Sequence, residues 1–228
     1  MTTDSMPTGF DSGPKDSSTV LYLVRHGETE YNRKGIVQGA GIDSELNDTG
    51  VAQAEALSER LAEVPIDGVY ASTLRRARQT ADVLASPHEP VPKTYLPDLE
   101  EIDWGVFEGD PPSEERNRAM DRVKARWREG QYGYRIAEGE SIRNVEARVH
   151  RAIEQVVAQE SETTVLVVTH GRYLRVLLAS LLNDYGLEDM HRLGHANTCV
   201  NRVRYDNGRF EADLLNCTAH LDTQECAS

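Results

Sequence analysis

Residues 19–27 read TVLYLVRHG, and residues 164–171 read TVLVVTHG. Each stretch begins with a short apolar run rich in β-branched residues, which predicts a strand buried on both faces of a sheet. Each run leads into a histidine followed by a glycine, at His26–Gly27 and at His170–Gly171. Because ligands bind beyond the carboxyl ends of the strands in open α/β sheets, both histidines are predicted to lie at a binding site. Each glycine is expected to let the backbone approach a bound anion.

The remaining pattern alternates strands with helices. The other predicted elements are a strand at 69–71, helices at 47–64, 72–85, 141–158 and 173–182, and a β-hairpin of residues 199–205 and 210–216. Ser72 and Ser141 are expected to cap the helices that follow them. This alternation predicts a single-domain, three-layer α/β/α sandwich with a largely parallel central sheet.

The predicted domain spans residues 19–218. Residues 1–18 are polar and lack an apolar segment, which predicts a disordered N-terminal tail without a signal peptide. Residues 219–228 are predicted to be a C-terminal tail. A charged stretch with prolines and glycines at about 110–140 indicates a variable insertion with a short helix at 114–128, and the proline-rich residues 86–98 indicate a loop or an edge strand.

Composition excludes several classes of function. The net charge of −13 argues against nucleic-acid and membrane partners, because an acidic surface repels phosphate backbones and anionic lipid. No stretch is apolar over the roughly 20 residues that a membrane span needs. Three cysteines without a C-x-x-C motif fit a reduced, cytoplasmic protein without a disulfide framework. The chain is compatible with a monomer or a homodimer.

Four ordered motifs resemble the histidine phosphatase superfamily, in its phosphoglycerate mutase-like branch. They are Arg25–His26–Gly27–Glu28–Thr29 with Asn32, then residues 72–77 (STLRRA), residues 99–105 (LEEIDWG) and Thr169–His170–Gly171. The resemblance covers roughly residues 19–205. It implies that His26 is the nucleophile, which attacks phosphorus and forms a phosphohistidine.

The same resemblance implies the other site residues. Arg25 and Arg76 match the two arginines that grip the phosphoryl group, and His170 matches the second histidine. Arginine forks suit this task because they bind two oxygens in fixed geometry. Residues that are expected to bind substrate are Thr29, Asn32, Gln38 and Gly171.

For the second phosphate-binding arginine and for the general acid, the neighbouring residue is an alternative. The family spacing favours Arg76 over Arg75, which we interpret with Arg78 as a solvated helix charge. The general acid is expected at Glu101, directly before Ile102, with Glu100 as the rival. Glu28 is interpreted as a structural residue that holds the phosphate-binding groups.

No metal or cofactor is expected. The remaining histidines lack a motif context and a metal-ligand spacing, and are interpreted as surface or hydrogen-bonded residues: His88, His150, His191, His195 and His220. Arginines of the insertion could bind a second anionic group, although pairing with nearby carboxylates is the favoured interpretation: Arg116, Arg118, Arg122, Arg126 and Arg135.

Three functions fit these motifs. The favoured one is a phosphatase that hydrolyses a small phosphorylated metabolite. The second is a phosphoglycerate mutase, and the third is a non-catalytic protein that binds phosphorylated ligands. The runs GIVQG at 35–39 and GVFEG at 105–109 resemble the phosphatase members more than the mutases. The sequence does not specify which metabolite is the substrate.

Overall fold

Six strands form one sheet in the computed structural model, which describes residues 18–159 and 163–221. They are β1 (Thr19–Arg25), β2 (Gly68–Ser72), β3 (Lys93–Leu96), β4 (Thr164–Thr169), β5 (Val200–Asp206) and β6 (Arg209–Cys217). Their order across the sheet is β3-β2-β4-β1-β5-β6. Strands β3, β2, β4 and β1 are parallel, β5 is antiparallel to β1, and β6 is antiparallel to β5. The largely parallel sheet is therefore confirmed.

Helices cover both faces of this sheet. They are α1 (Glu30–Lys34), α2 (Asp48–Leu61), α3 (Arg75–Ala85), α4 (Glu114–Arg128), α5 (Ile142–Val157) and α6 (Gly171–Leu181). Alternate residues of β4 separate two cores: Val165 and Val167 pack with α5 and α6, whereas Leu166 and Val168 pack with α2 and α3. This is the predicted three-layer sandwich, and a strand buried on both faces explains the uninterrupted apolar run.

The insertion helix α4 packs on the α5 and α6 side of the sheet. It begins after Ser113, whose hydroxyl accepts a hydrogen bond from the Arg116 N–H. Val123 and Trp127 are its buried side chains, and they join the core that contains α5 and α6. Met120 packs against the same core, and most of the other α4 residues are charged, so the helix contributes one apolar edge to the core.

Most element boundaries agree with the sequence, and three differ. Ser72 is the last residue of β2 rather than a helix cap, and α3 begins at Arg75 after Leu74. Helix α6 begins at Gly171, two residues before the predicted start, and His170 is its N-cap residue. Residues 219–221 form a 3₁₀ turn, so the predicted C-terminal tail starts as part of the fold.

Parts of both predicted tails, residues 1–17 and 222–228, lie outside the described residues. The proline-rich segment at 86–98 contains β3, which is an edge strand as expected. Within residues 18–159 and 163–221, no helix is both long enough and apolar enough to cross a bilayer.

Candidate active site

The two strand-end histidines lie side by side. Strands β1 and β4 are parallel neighbours with Arg25 opposite Thr169, so the residues that follow them, His26 and His170, leave the sheet at the same level. The His26 N–H donates to the Thr169 carbonyl at 2.9 Å, and the two imidazole rings have centroids 5.1 Å apart. The two histidines are therefore neighbours at the carboxyl edge of the sheet.

The tautomer of His26 is fixed by its own loop. Nδ1 lies 2.7 Å from the carbonyl oxygen of Gly27, and because a carbonyl only accepts, Nδ1 carries the proton. Burial, with the charges of Arg76 and Arg25, holds the pKa of His26 well below its usual range. The ring is therefore neutral, and Nε2 keeps the free lone pair that a nucleophile needs.

His170 is held from both ring nitrogens. The Nε–H of Arg76 donates to Nδ1 at 3.2 Å, so the proton of the neutral ring lies on Nε2, which donates to the Ser72 hydroxyl at 2.8 Å. Burial, followed by the charge of Arg76, holds the pKa of His170 well below its usual range. Ser72 is thus a residue of the site, where the sequence had suggested a helix cap.

Arg76 is fully buried and is held by backbone carbonyls as well as by His170. Its terminal nitrogens donate to the carbonyls of Ile42 at 2.6 Å and Gly39 at 3.1 Å, in the loop between α1 and α2. Burial lowers its pKa to about 10, so the guanidinium remains charged at neutral pH. Arg75 and Arg78 point outward, to Glu45 and to the ring of Tyr95, as the sequence analysis expected.

Arg25 is positioned by the loop before β5. Its guanidinium donates to the carbonyl of His195, while its buried Nε has no hydrogen-bond partner among the described residues. Burial lowers the pKa of Arg25 as well. The side chain of Asn197 donates to the His26 carbonyl at 3.0 Å, so the same loop fixes the arginine and the histidine.

Glu101 sits at the start of helix α6. Its carboxylate accepts hydrogen bonds from the N–H groups of Ile102 and Tyr173 on one oxygen, and of Arg172 on the other. Glu101 is buried. Its negative charge raises the pKa values of Arg25 and Arg76, whereas the burial of these arginines lowers them by more. Glu100 instead accepts from the hydroxyl of Thr73. The carboxylate that faces the arginines is therefore that of Glu101.

The four expected substrate-binding residues differ in their placement. Thr29 is fully buried, and its hydroxyl caps α1 through the Asn32 N–H and donates to Gln38, so we place it behind the site. Asn32 and Gln38 line a cavity of about 460 Å³. Gly171 is packed so closely that a Cβ would lie 2.7 Å from the His195 ring and 3.2 Å from the Arg25 Nε.

The backbone of Gly27 packs closely against helix α2. A Cβ on Gly27 would lie 2.4 Å from the carbonyl oxygen of Gly50 in α2, so the residue allows the loop after β1 to touch that helix. Glu28 is structural as expected, but it accepts from the Asn47 side chain rather than holding a histidine or an arginine. Gly27 and Glu28 together anchor the site's first loop on α2.

Sequence reasoning missed His195 and the carbonyls that bind Arg76. His195 contacts Arg25 through its carbonyl, and burial with the charges of Arg175 and Arg25 lowers its pKa to about 3. Carbonyl groups carry no residue-type signal, and His195 lies outside every motif. In the described parts of the chain, no group of three or more His, Cys, Asp or Glu residues could hold a metal ion.

Two neutral histidines beside two buried arginines suit the binding of a phosphoryl group. Comparison with known protein families identifies the family. A family model for the histidine phosphatase superfamily (branch 1) matches residues 21–218. The chain belongs to this superfamily.

Individual members of the superfamily are similar along most of the chain. The probable phosphoglycerate mutase GpmB of Yersinia pestis (strain Pestoides F) is 33% identical over 214 residues, which cover 89% of this chain and 94% of that protein. The structure of Shigella flexneri alpha-ribazole phosphatase matches with a TM-score of 0.76 at 26% identity, covering 88% and 97% of the two chains. A mycobacterial glucosyl-3-phosphoglycerate phosphatase matches with a TM-score of 0.73 at 28% identity, covering 88% and 99%. Phosphatases and a mutase thus share this fold.

The buried neutral histidines predict that acid destabilises the protein. Because the pKa values of His26 and His170 are lowered in the folded state, the unfolded state binds more protons below its own histidine pKa of about 6.5. The free energy of unfolding should therefore decrease as the pH falls from 7.5 to 5.5. For each of these histidines, its slope against pH should approach about 1.4 kcal/mol per pH unit. Urea unfolding at both pH values measures this loss.

The matched variants are His26→Gln and His150→Gln, because His150 is exposed on α5. The unfolding free energy should depend less steeply on pH in His26→Gln, by the share of one histidine, because His170 and His195 keep their lowered pKa values. It should keep the wild-type slope in His150→Gln. Equal slopes in all three proteins would contradict the assignment of a neutral, buried His26.

Proposed function

We propose that this protein is a phosphomonoesterase that transfers the phosphoryl group of a small phosphorylated molecule to Nε2 of His26 and then to water. The observation that carries the proposal is the neutral His26 tautomer, with Nδ1 committed to the Gly27 carbonyl and Arg25 and Arg76 around it. A charged phosphoryl group would form the direct ion pairs that Arg25 and Arg76 do not form with any described residue.

In the first step, the Nε2 lone pair attacks phosphorus, and the bond from phosphorus to the ester oxygen breaks. Arg25 and Arg76 donate to the equatorial oxygens, where negative charge is spread in the transition state. His170 joins them when its Nε2–H moves from the Ser72 hydroxyl to a phosphoryl oxygen. Glu101, in its protonated form, gives its proton to the departing oxygen and becomes a carboxylate. Its hydrogen bonds to the start of α6 hold this carboxylate in place.

In the second step, water attacks the phosphohistidine. The Glu101 carboxylate takes a proton from the water, the bond between Nε2 and phosphorus breaks, and inorganic phosphate leaves. Glu101 and His26 return to their starting forms. Asn32 and Gln38, in the cavity of about 460 Å³, are proposed to contact the rest of the substrate.

We propose that the reaction needs no metal ion or cofactor, since the arginines provide the charge stabilisation that a metal provides elsewhere. The proposed partner is a small phosphorylated molecule, rather than nucleic acid or a membrane, for a chain of net charge −13. A cytoplasmic location agrees with Cys199 and Cys217, which are not joined in a disulfide. Whether the active form is a monomer or a homodimer does not affect this mechanism.

A phosphoglycerate mutase is the second candidate, because of the 33% identity to a probable mutase. A mutase uses the same histidine but returns the phosphoryl group to a second hydroxyl of the substrate. The two functions differ in their products rather than in their first step.

Product analysis separates these candidates. With p-nitrophenyl phosphate and 3-phosphoglycerate, the wild type should release inorganic phosphate, in EDTA as well as without it. His26→Ala should reduce this release by at least about a thousandfold, since no other group carries the intermediate, and His150→Ala serves as the control. Formation of 2-phosphoglycerate faster than phosphate would favour the mutase, and full-rate release by His26→Ala would refute both candidates.

The role of Glu101 is tested by the leaving group. Glu101→Gln should slow alkyl phosphates by about 10²–10⁴-fold, because an alkoxide needs a proton to depart. Nitrophenolate leaves without that proton, so the pre-steady-state burst from p-nitrophenyl phosphate should persist while turnover becomes slow. The isosteric Glu100→Gln is the control and should behave as the wild type. If Glu100→Gln shows the preserved burst and slow turnover instead, the acid is the neighbouring residue.

A further inference from the structure

A cavity of about 290 Å³ lies between α4, α6 and the loop that carries His195. We call it the α4–α6 cavity, and the lining residues used below are Lys124, Trp127, Arg128, Arg172, Arg175 and His195. Four of these side chains are cationic, and Glu188 is the one carboxylate among the described residues that line it. A chain with a net charge of −13 has therefore concentrated positive charge in one cavity.

Three of these four cations form no ion pair with a described carboxylate, and the fourth forms a long one. Among the residues that the structure describes, Arg128, Arg172 and Arg175 form no ion pair, and Lys124 approaches Asp121 at 3.8 Å. The carboxylate of Glu188 is engaged by the hydroxyl of Tyr132 at 3.2 Å. Positive groups gathered in this way repel one another until an anion enters.

Two of the guanidinium groups also have unused hydrogen-bond donors. The Nε atoms of Arg172 and Arg175 are buried without a partner among the described residues. Arg172 stacks over the rings of Trp127 at 5.5 Å and Trp104 at 5.8 Å, which fixes the plane of its fork. Burial lowers its pKa to about 10, so its charge is present at neutral pH. A fixed, charged and unsatisfied guanidinium suits a carboxylate or a phosphoryl group.

The cavity adjoins the reaction site. The backbone N–H of Arg172 donates to Glu101 at 3.0 Å, and the carbonyl of His195 accepts from Arg25. Lys124 lines both the α4–α6 cavity and the cavity that contains Asn32 and Gln38. A ligand whose phosphoryl group lies at His26 could therefore extend past Lys124 toward Arg172 and Arg175.

We propose that the α4–α6 cavity binds a second anionic group of the substrate, a carboxylate or a second phosphoryl group. The inference rests on the proposed function, because it takes the first phosphoryl group to lie at His26. The proposed site uses Lys124 and Arg128 of α4 with Arg172 and Arg175 of α6, none of which is among the insertion arginines that the sequence suggested. Arg118, for example, is exposed and pairs with Glu114 at 2.9 Å.

Binding to a non-turnover variant, His26→Ala, tests this proposal. The chain's two tryptophans, Trp104 and Trp127, both contact Arg172, so intrinsic fluorescence reports on the cavity. One pair of probes is 3-phosphoglycerate and glycerol 3-phosphate, which differ by a carboxylate. The other pair is fructose 1,6-bisphosphate and fructose 6-phosphate, which differ by a phosphoryl group. The probe with the second anion should bind at least about tenfold more tightly in one of these pairs, since hydrogen bonds to charged groups are strong.

Adding Arg175→Gln or Lys124→Gln should reduce that preference to about twofold or less, and adding Arg118→Gln on α4 should leave it intact. Equal affinities within both pairs, or a preference that survives Arg175→Gln and Lys124→Gln, would overturn the proposal. The binding readout is independent of turnover. A preference without phosphate release by the wild type would refute the proposed function alone, and phosphate release without a preference would refute the second-anion site alone.

Discussion

Burying a guanidinium costs free energy unless its N–H groups are hydrogen-bonded and its charge is balanced. This fold buries Arg76 completely and Arg25 for the most part, around one neutral histidine. Arg76 meets the first requirement through two carbonyls and His170, yet neither arginine has an ion-pair partner among the described residues. The carboxylate of Glu101 offsets part of their charge, and a bound phosphoryl group would offset the rest.

The proton positions around the site follow from that arrangement. Because Arg76 donates to Nδ1 of His170, the neutral ring directs its remaining proton to Ser72. On the other side, the Gly27 carbonyl accepts the proton of His26 and leaves Nε2 free. The hydrogen bonds therefore set the two imidazoles differently: His26 presents a lone pair, whereas both nitrogens of His170 are engaged by protein groups in the free state. Strand β1 positions the His26 ring, so little reorganisation of the nucleophile precedes attack.

The sequence predicted the elements whose signals are local. The apolar runs of β1 and β4 fixed the place of both histidines, and Ser113 and Ser141 cap α4 and α5 where the expected helices begin. It could not predict contacts made by backbone carbonyls, such as those of Gly39 and Ile42 with Arg76, because any residue type supplies a carbonyl. It also did not single out the cations that line the α4–α6 cavity. The face that α4 turns to the core is set by Val123 and Trp127, and their neighbours Lys124 and Arg128, rather than Arg118 or Arg126, then border the cavity.

The central claim is that His26 carries the phosphoryl group between substrate and water. The most direct measurement is to mix the protein with p-nitrophenyl phosphate labelled in its phosphoryl group, quench it in alkali within one turnover, and map the label to a peptide. A phosphoramidate survives base and is lost in acid, unlike a phosphoserine. The account predicts that label is recovered on His26, approaching one per chain when the second step is slowed by Glu101→Gln. Label on a serine or on His170, or turnover with no label on the protein, would contradict it.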